Sequence, residues 1–213
     1  MPPKPKFSKN EIIDAAYELA KDNGIEAVVA REVGKRLGTT TAPIFTYFNT
    51  MDELKDEVYK KASVICSEFL NESINYFPSF KEFGLRWVRF AKANPRIYEM
   101  LFMLKGMRKS NMGYINVGFI DVLEPMNEEV AKAFDISIVE AENLINDMCI
   151  FAHGIASLYV NNMCNLSDEI ICAKLSRMCI SCVVGIKAMD GTLDQKVAKI
   201  WYENVNVMPY LKK

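Results

Sequence analysis

The way this chain writes its helix starts constrains it most. A Ser or Thr at an N-cap, with Glu or Gln three residues later, lets two side chains reciprocally satisfy backbone donors that the first helical turn leaves open. The pattern occurs at Ser8/Glu11, Thr50/Glu53, Ser79/Glu82 and Ser137/Glu140, each time ahead of apolar residues recurring at helical spacing. Stop signals fall between these starts at Gly24, Gly38, the Asn94-Pro95 step and Gly191. No segment alternates like a strand for long enough to compete, and no internal repeat is visible. The expectation is an all-α protein, with helices over about 8–23, 30–37, 41–48, from 50 onward, 79–93, 96–106, 113–133, 138–163 and 168–190, and a last turn or helix near 195–205.

Half of the 213 residues are hydrophobic and a quarter charged, which is enough apolar material for a real core. Basic side chains total 26 and acidic 27, so any affinity for nucleic acid has to come from a local patch. Met1 to Phe7 is basic but leads into no apolar signal segment, and the expectation is a cytoplasmic protein. The longest apolar runs, Met148 to Val160 and Cys179 to Ile186, fall short of the roughly 18 residues of a membrane span. The single histidine, His153, removes HExxH sites and most histidine metal clusters, and no GxSxG, GxGxxG or GxxxxGK[ST] motif occurs. No metal, no cofactor and no catalytic centre are expected. The six cysteines read as reduced thiols, and Cys179-x-x-Cys182 as small core residues of a helix.

Three short helices with a tight turn before the third describe a helix-turn-helix module in residues 1–50, followed by a larger helical domain over 51–213. Gly38 in Gly38-Thr39-Thr40 is suited to the left-handed conformation that ends a helix. Thr40 or Thr41 is placed to cap the third helix, and Pro43 falls in its first turn, where a missing N–H is harmless. Ile44 and Phe48 face inward. Thr40, Thr41, Ala42, Pro43, Thr46 and Tyr47 face outward, small or hydroxyl-bearing groups able to approach base edges and thymine methyls.

Residues 11–59 resemble the N-terminal domain of the tetracycline-repressor (TetR) family of bacterial transcription regulators. The resemblance lies in EIIDAAYELAKDNGIEAVVAREVGKRLG followed by TTTAPIFTYFNTMDEL. It implies a DNA contact surface formed by Arg31, Lys35, Thr39, Thr40, Thr41, Ala42, Pro43, Phe45, Thr46 and Tyr47. Family members often carry a Thr near position 29, a Tyr at 45 and a Lys at 51, all able to touch phosphates; here these are Val29, Phe45 and Met51. The first 50 residues hold seven basic and six acidic side chains, a poor balance for phosphate neutralisation. Lys4, Lys6 and Lys9 form an arm that can compensate along the backbone or in a minor groove.

The second domain carries two further expectations. Helices 138–163 and 168–190 are apolar or small nearly all round, which fits pairing with their symmetry mates in a homodimer through Ile171, Leu175, Met178, Cys182 and Ile186. The resemblance implies the same arrangement. The dense Met and aromatic residues of 97–119 read either as ordinary core or as the lining of a hydrophobic effector pocket. For the pocket the candidates are Trp87, Tyr98, Phe102, Met103, Phe119, Met148 and His153. His153 is equally compatible with a satisfied core histidine. The expected function is a ligand-responsive repressor that binds a palindromic DNA operator. A helical-bundle carrier or enzyme, or a protein-interaction member that does not bind DNA, is the alternative, and salt-dependent DNA binding separates them.

Overall fold

Two of the four expected capping boxes form in full. Ser8 Oγ accepts the Glu11 N–H, while the Glu11 carboxylate accepts the Ser8 N–H at 2.7 Å. Ser137 and Glu140 repeat the exchange at 2.8 and 3.2 Å. At the third, Thr50 accepts the Glu53 N–H, but the Glu53 carboxylate takes the N–H of Asn49, one residue upstream. The fourth does not form. Ser79 lies inside its helix behind Pro78, and its N–H and hydroxyl both donate to Glu129, fifty residues away. Glu82, freed from capping, binds Arg86 and Arg89.

The computed structural model of the chain describes residues 6–76, 78–104, 120–189 and 191. In order these form α1 (Lys9–Asn23), a 3-10 turn (Ile25–Ala27), α2 (Ala30–Arg36), α3 (Ala42–Phe45), α4 (Met51–Asn71), a second 3-10 turn (Glu72–Asn75), α5 (Ser79–Ala93), α6 (Pro95–Phe102), α7 (Ile120–Phe134), α8 (Ile138–Val160) and α9 (Asp168–Met189). The described residues contain no strand, and the all-α expectation holds. The expected turn at 195–205, the start of helix 113–133, Lys4 and Phe119 lie outside the described residues.

α5 is the hub. It packs on α4, α6, α8 and α9, while α8 also carries α7. α1 packs on α2, α4 and α6, so α4 and α6 join the first three helices to the rest. One charged side chain is buried with this hub. Arg86 is only 8% exposed, donates to the Phe69 carbonyl, Glu72 and Glu82, and lies over the rings of Phe69 and Tyr76. Nearby, Arg89 and Lys92 of α5 hold Asp168 in the first turn of α9 at 2.7 and 3.1 Å. The Arg89 hydrogen bond, opposed by some desolvation and joined by that from Lys92, holds the Asp168 carboxyl below its ordinary range. All six cysteines are free thiols. Burial pushes Cys149 up to about 12 and Cys179 to about 11, which suits packing rather than redox chemistry.

Candidate nucleic-acid interface and regulatory cavity

The turn between α2 and α3 is built as expected at Gly38, whose φ is +67° and whose N–H bonds the Lys35 carbonyl at 3.1 Å. Thr39 N–H then returns to the Gly34 carbonyl at 2.9 Å. Gly34 is a determinant that the sequence reading passed over. A Cβ there would stand 3.0 Å from the Thr40 carbonyl oxygen and 3.1 Å from that of Thr39, so a larger residue would require the turn to give by a few tenths of an ångström. A glycine inside a helical pattern, four residues before the helix-ending one, was the available signal.

α3 is shorter than expected, four residues rather than 41–48. Thr41 stands at its N-cap with helical dihedrals and makes no side-chain capping bond, contrary to the expected role. Pro43 does occupy the first turn. The helix is held from within: Ile44 is fully buried and Phe48 nearly so, in one cluster with Ile12, Ala16 and Val33. Outward lie Thr40, Thr41, Ala42, Phe45 and Thr46, all exposed, with Thr39 and Pro43 half-buried. Thr46 donates its hydroxyl hydrogen to the Ala42 carbonyl at 3.3 Å. Tyr47 departs from the expected outward pose. It is half-buried, and its hydroxyl donates to the Phe7 carbonyl at 3.0 Å, fastening residues 6–8 beside α3.

Charge on this face is sparse. Arg31 and Lys35 have side chains 91% and 80% exposed and sit at 4.0 and 3.9 Å from Glu32. Other cations are turned to acidic neighbours: Arg36 to Asp22 at 2.8 Å, Lys55 to Glu26 at 3.9 Å, Lys9 to Glu57 at 3.5 Å. Val29 and Phe45 are exposed apolar groups, whereas Met51 is half-buried against the core.

The second site is a cavity of about 370 Å³ among α5, α7, α8 and α9. Phe83, Trp87, Val130, Met148, Leu175 and Cys179 supply much of its apolar wall, with Glu129, Lys81 and Ser176 also present. Of the pocket candidates, Trp87 and Met148 line it; Tyr98, Phe102, Met103 and His153 do not. Three of these four form a cluster behind it. Trp87 Nε1 donates to Tyr98 Oη at 2.7 Å, Tyr98 Oη lies 2.6 Å from His153 Nδ1, and the Phe102 ring centroid is 4.6 Å from that of Tyr98. Burial raises the Tyr98 phenol well above its ordinary range. Trp87 belongs to both groups, which joins them. The reason for the difference is packing: α7 and α9 supply nearly half of the wall, and helical periodicity cannot reveal which helices close around a cavity.

The dimer candidates also divide. Ile171 and Leu175 are buried in the subunit's own core, Leu175 against the cavity and Gly84, so neither can supply surface. Met178 is exposed, and Cys182 and Ile186 are half-buried. No cluster of three or more metal-binding side chains occurs among the described residues, and none of their helices is long and apolar enough to cross a membrane.

A helix, a left-handed glycine turn and a short second helix presenting small side chains beside two exposed cations define a helix-turn-helix DNA-binding protein. Residues 12–58 match the family model of the bacterial regulatory proteins of the tetR family, which supports a TetR-type DNA-binding transcription regulator. No curated protein matches the chain.

Proposed function

We propose that the chain is a ligand-responsive repressor that binds a palindromic operator as a homodimer in the cytoplasm and releases it when a lipophilic or aromatic effector enters the cavity. The observation that carries this reading is the apolar cavity among α5, α7, α8 and α9. Its helix α5 packs on α4 and α6, which in turn pack on α1, the base of the helix-turn-helix. An apolar wall with few polar groups suits a lipophilic molecule better than a sugar or nucleotide. The effector has to favour the DNA-incompetent spacing of the two modules, and operator DNA then weakens effector binding by the same factor.

Support for the dimer comes from the outer faces of α8 and α9. Ile150, Leu158 and Met178 are exposed there. Gly154 and Gly185 lie in mid-helix, yet a Cβ on either would meet nothing within 4 Å inside the subunit. Glycine in a helix interior costs about 1 kcal/mol relative to alanine. Close approach of a second copy's helices gives these positions a reason. Such a dimer reads half-sites one helical turn, or a multiple, apart.

The test follows Trp87 in a Trp201→Phe background, which leaves one indole at the cavity. A compound from a lipophilic panel that changes Trp87 fluorescence is expected to lower the affinity for a duplex selected on the protein from a random-sequence pool. Compounds that bind at Trp87 without altering DNA affinity would refute effector control. A monomer at micromolar concentration in light scattering would refute the dimer.

A further inference from the structure

We infer that the outward face of α3 reads thymine methyl groups, so that the DNA this protein fits carries thymines clustered in the major groove of each half-site. The inference rests on the DNA-binding reading and adds which feature of the groove is read. Base-discriminating hydrogen bonds come from Arg or Lys to guanine, Asn or Gln to adenine, and Asp or Glu to cytosine, whereas a Ser or Thr hydroxyl bonds either kind of base edge. None of the six discriminating residue types occurs from Gly38 to Phe48. The next amide, Asn49, donates both its backbone and side-chain N–H groups to Glu53, at 2.7 and 3.2 Å.

What the face offers instead is carbon. Phe45 is 51% exposed, and around it stand the methyl of Ala42 and the threonines at 40, 41 and 46. Thr46 directs its hydroxyl hydrogen inward to Ala42, which leaves its methyl and one acceptor for a ligand. The C5-methyl of thymine is the apolar group that the major groove presents, and Ala, Thr methyl and Phe are the side chains that contact it. The short side chains at 40–42 allow the close approach this contact needs. Arg31 and Lys35, on α2 beside this face, are left to meet phosphate or an occasional guanine. The face is continuous with the family-matched module, and its cations complement DNA rather than an apolar protein partner.

The probe is the duplex recovered by wild-type selection from a random-sequence pool, resynthesised with deoxyuridine in place of thymidine within the half-sites. This keeps every base pair and removes only the methyls. The recovered half-sites are expected to be thymine-rich, and the uridine duplex to bind roughly fifteenfold more weakly, as burial of two methyls implies. The slope of log K against log salt stays unchanged, because the phosphates are untouched. Phe45→Ala, at an exposed position that does not endanger folding, is expected to bind the two duplexes alike. Thr46→Ser, which keeps the hydroxyl, loses part of the preference. Equal wild-type affinity for both duplexes, or half-sites built on G·C pairs without thymine, overturns the inference while leaving DNA binding intact. Recovery of no duplex at all overturns both readings and points the face toward a protein partner.

Discussion

α3 has four residues and α8 twenty-three, and the two are held in place by opposite means. α8 has a complete capping box and buries Leu144, Ile145, Met148, Cys149 and Ala152 along its length. α3 has no side-chain cap, and its position comes from Ile44 and Phe48 and from the fit of the turn over Gly34. A helix of one turn is not stable on its own, since nucleation fixes several residues for a single hydrogen bond. The candidate DNA-contact surface therefore has no geometry of its own. It inherits one from α1 and α2, whereas α8 and α9 are long enough to hold a cavity and still leave apolar surface outside.

The largest effect that would sharpen this contrast is a pair of core truncations. Ile44→Ala and Leu144→Ala should each cost about 2–5 kcal/mol, the usual range for emptying a packed aliphatic site. Ile44→Ala is expected to abolish DNA binding while Trp87 fluorescence still reports a bound lipophile; Leu144→Ala should impair the cavity first. Urea unfolding followed by both far-ultraviolet dichroism and fluorescence tests this. Joint loss of both activities in both variants would show one cooperative unit and break the contrast.

A smaller effect compares two glycines. Gly34→Ala drives a Cβ into the Thr39 and Thr40 carbonyls and should destabilise the module by about 1–3 kcal/mol. Gly154→Ala meets nothing within the subunit, so the isolated helix should gain up to about 1 kcal/mol. In sedimentation equilibrium the same substitution is expected to weaken the dimer. Unchanged association would move the interface off this face.

Acid sensitivity gives the next distinction. Asp168 has a lowered folded-state pKa, first through Arg89 and then through Lys92. Its contribution is therefore complete above its unfolded value of about 4, and is lost as pH falls through the folded value. Asp168→Asn should lower the urea midpoint at neutral pH, and the gap from wild type should close in acid. A gap that is constant with pH would mean that the ion pair does not fasten α9 to α5.

The smallest effect concerns the N-terminal arm. Tyr47→Phe removes the hydrogen bond to the Phe7 carbonyl, worth about 0.5–1.5 kcal/mol. Deleting residues 1–7 should lower DNA affinity and flatten its salt dependence, because Lys4 and Lys6 are lost. Tyr47→Phe should move the slope the same way but less. An unaltered slope in the deletion would make the arm a bystander.

Local chemistry was legible in the sequence and tertiary partnership was not. Ser8/Glu11 and Ser137/Glu140 read correctly because both halves of each box lie within one turn. Ser79 read wrongly because its partner, Glu129, comes from another helix. Gly38 could be placed from the left-handed turn it permits, whereas Gly34 depends on carbonyls that arrive only when the turn folds back. The stripe containing Ile171 and Leu175 was a true apolar face, but periodicity cannot say whether the subunit or a second copy covers it. Trp87 was found and Val130 was not, because the cavity is the gap between helices rather than a property of any one of them.

The lone histidine gives the protein a built-in spectroscopic label. Tyr98 is buried, accepts the Trp87 indole N–H, and lies 2.6 Å from His153 Nδ1. The other ring nitrogen, Nε2, lies 3.4 Å from the Ser157 hydroxyl. Uniform nitrogen-15 labelling then yields one imidazole pair that needs no assignment, and its tautomer signature reads the wall behind the cavity directly. Any molecule that displaces Trp87 must disturb this chain of donors and should announce itself in those two resonances before it is identified.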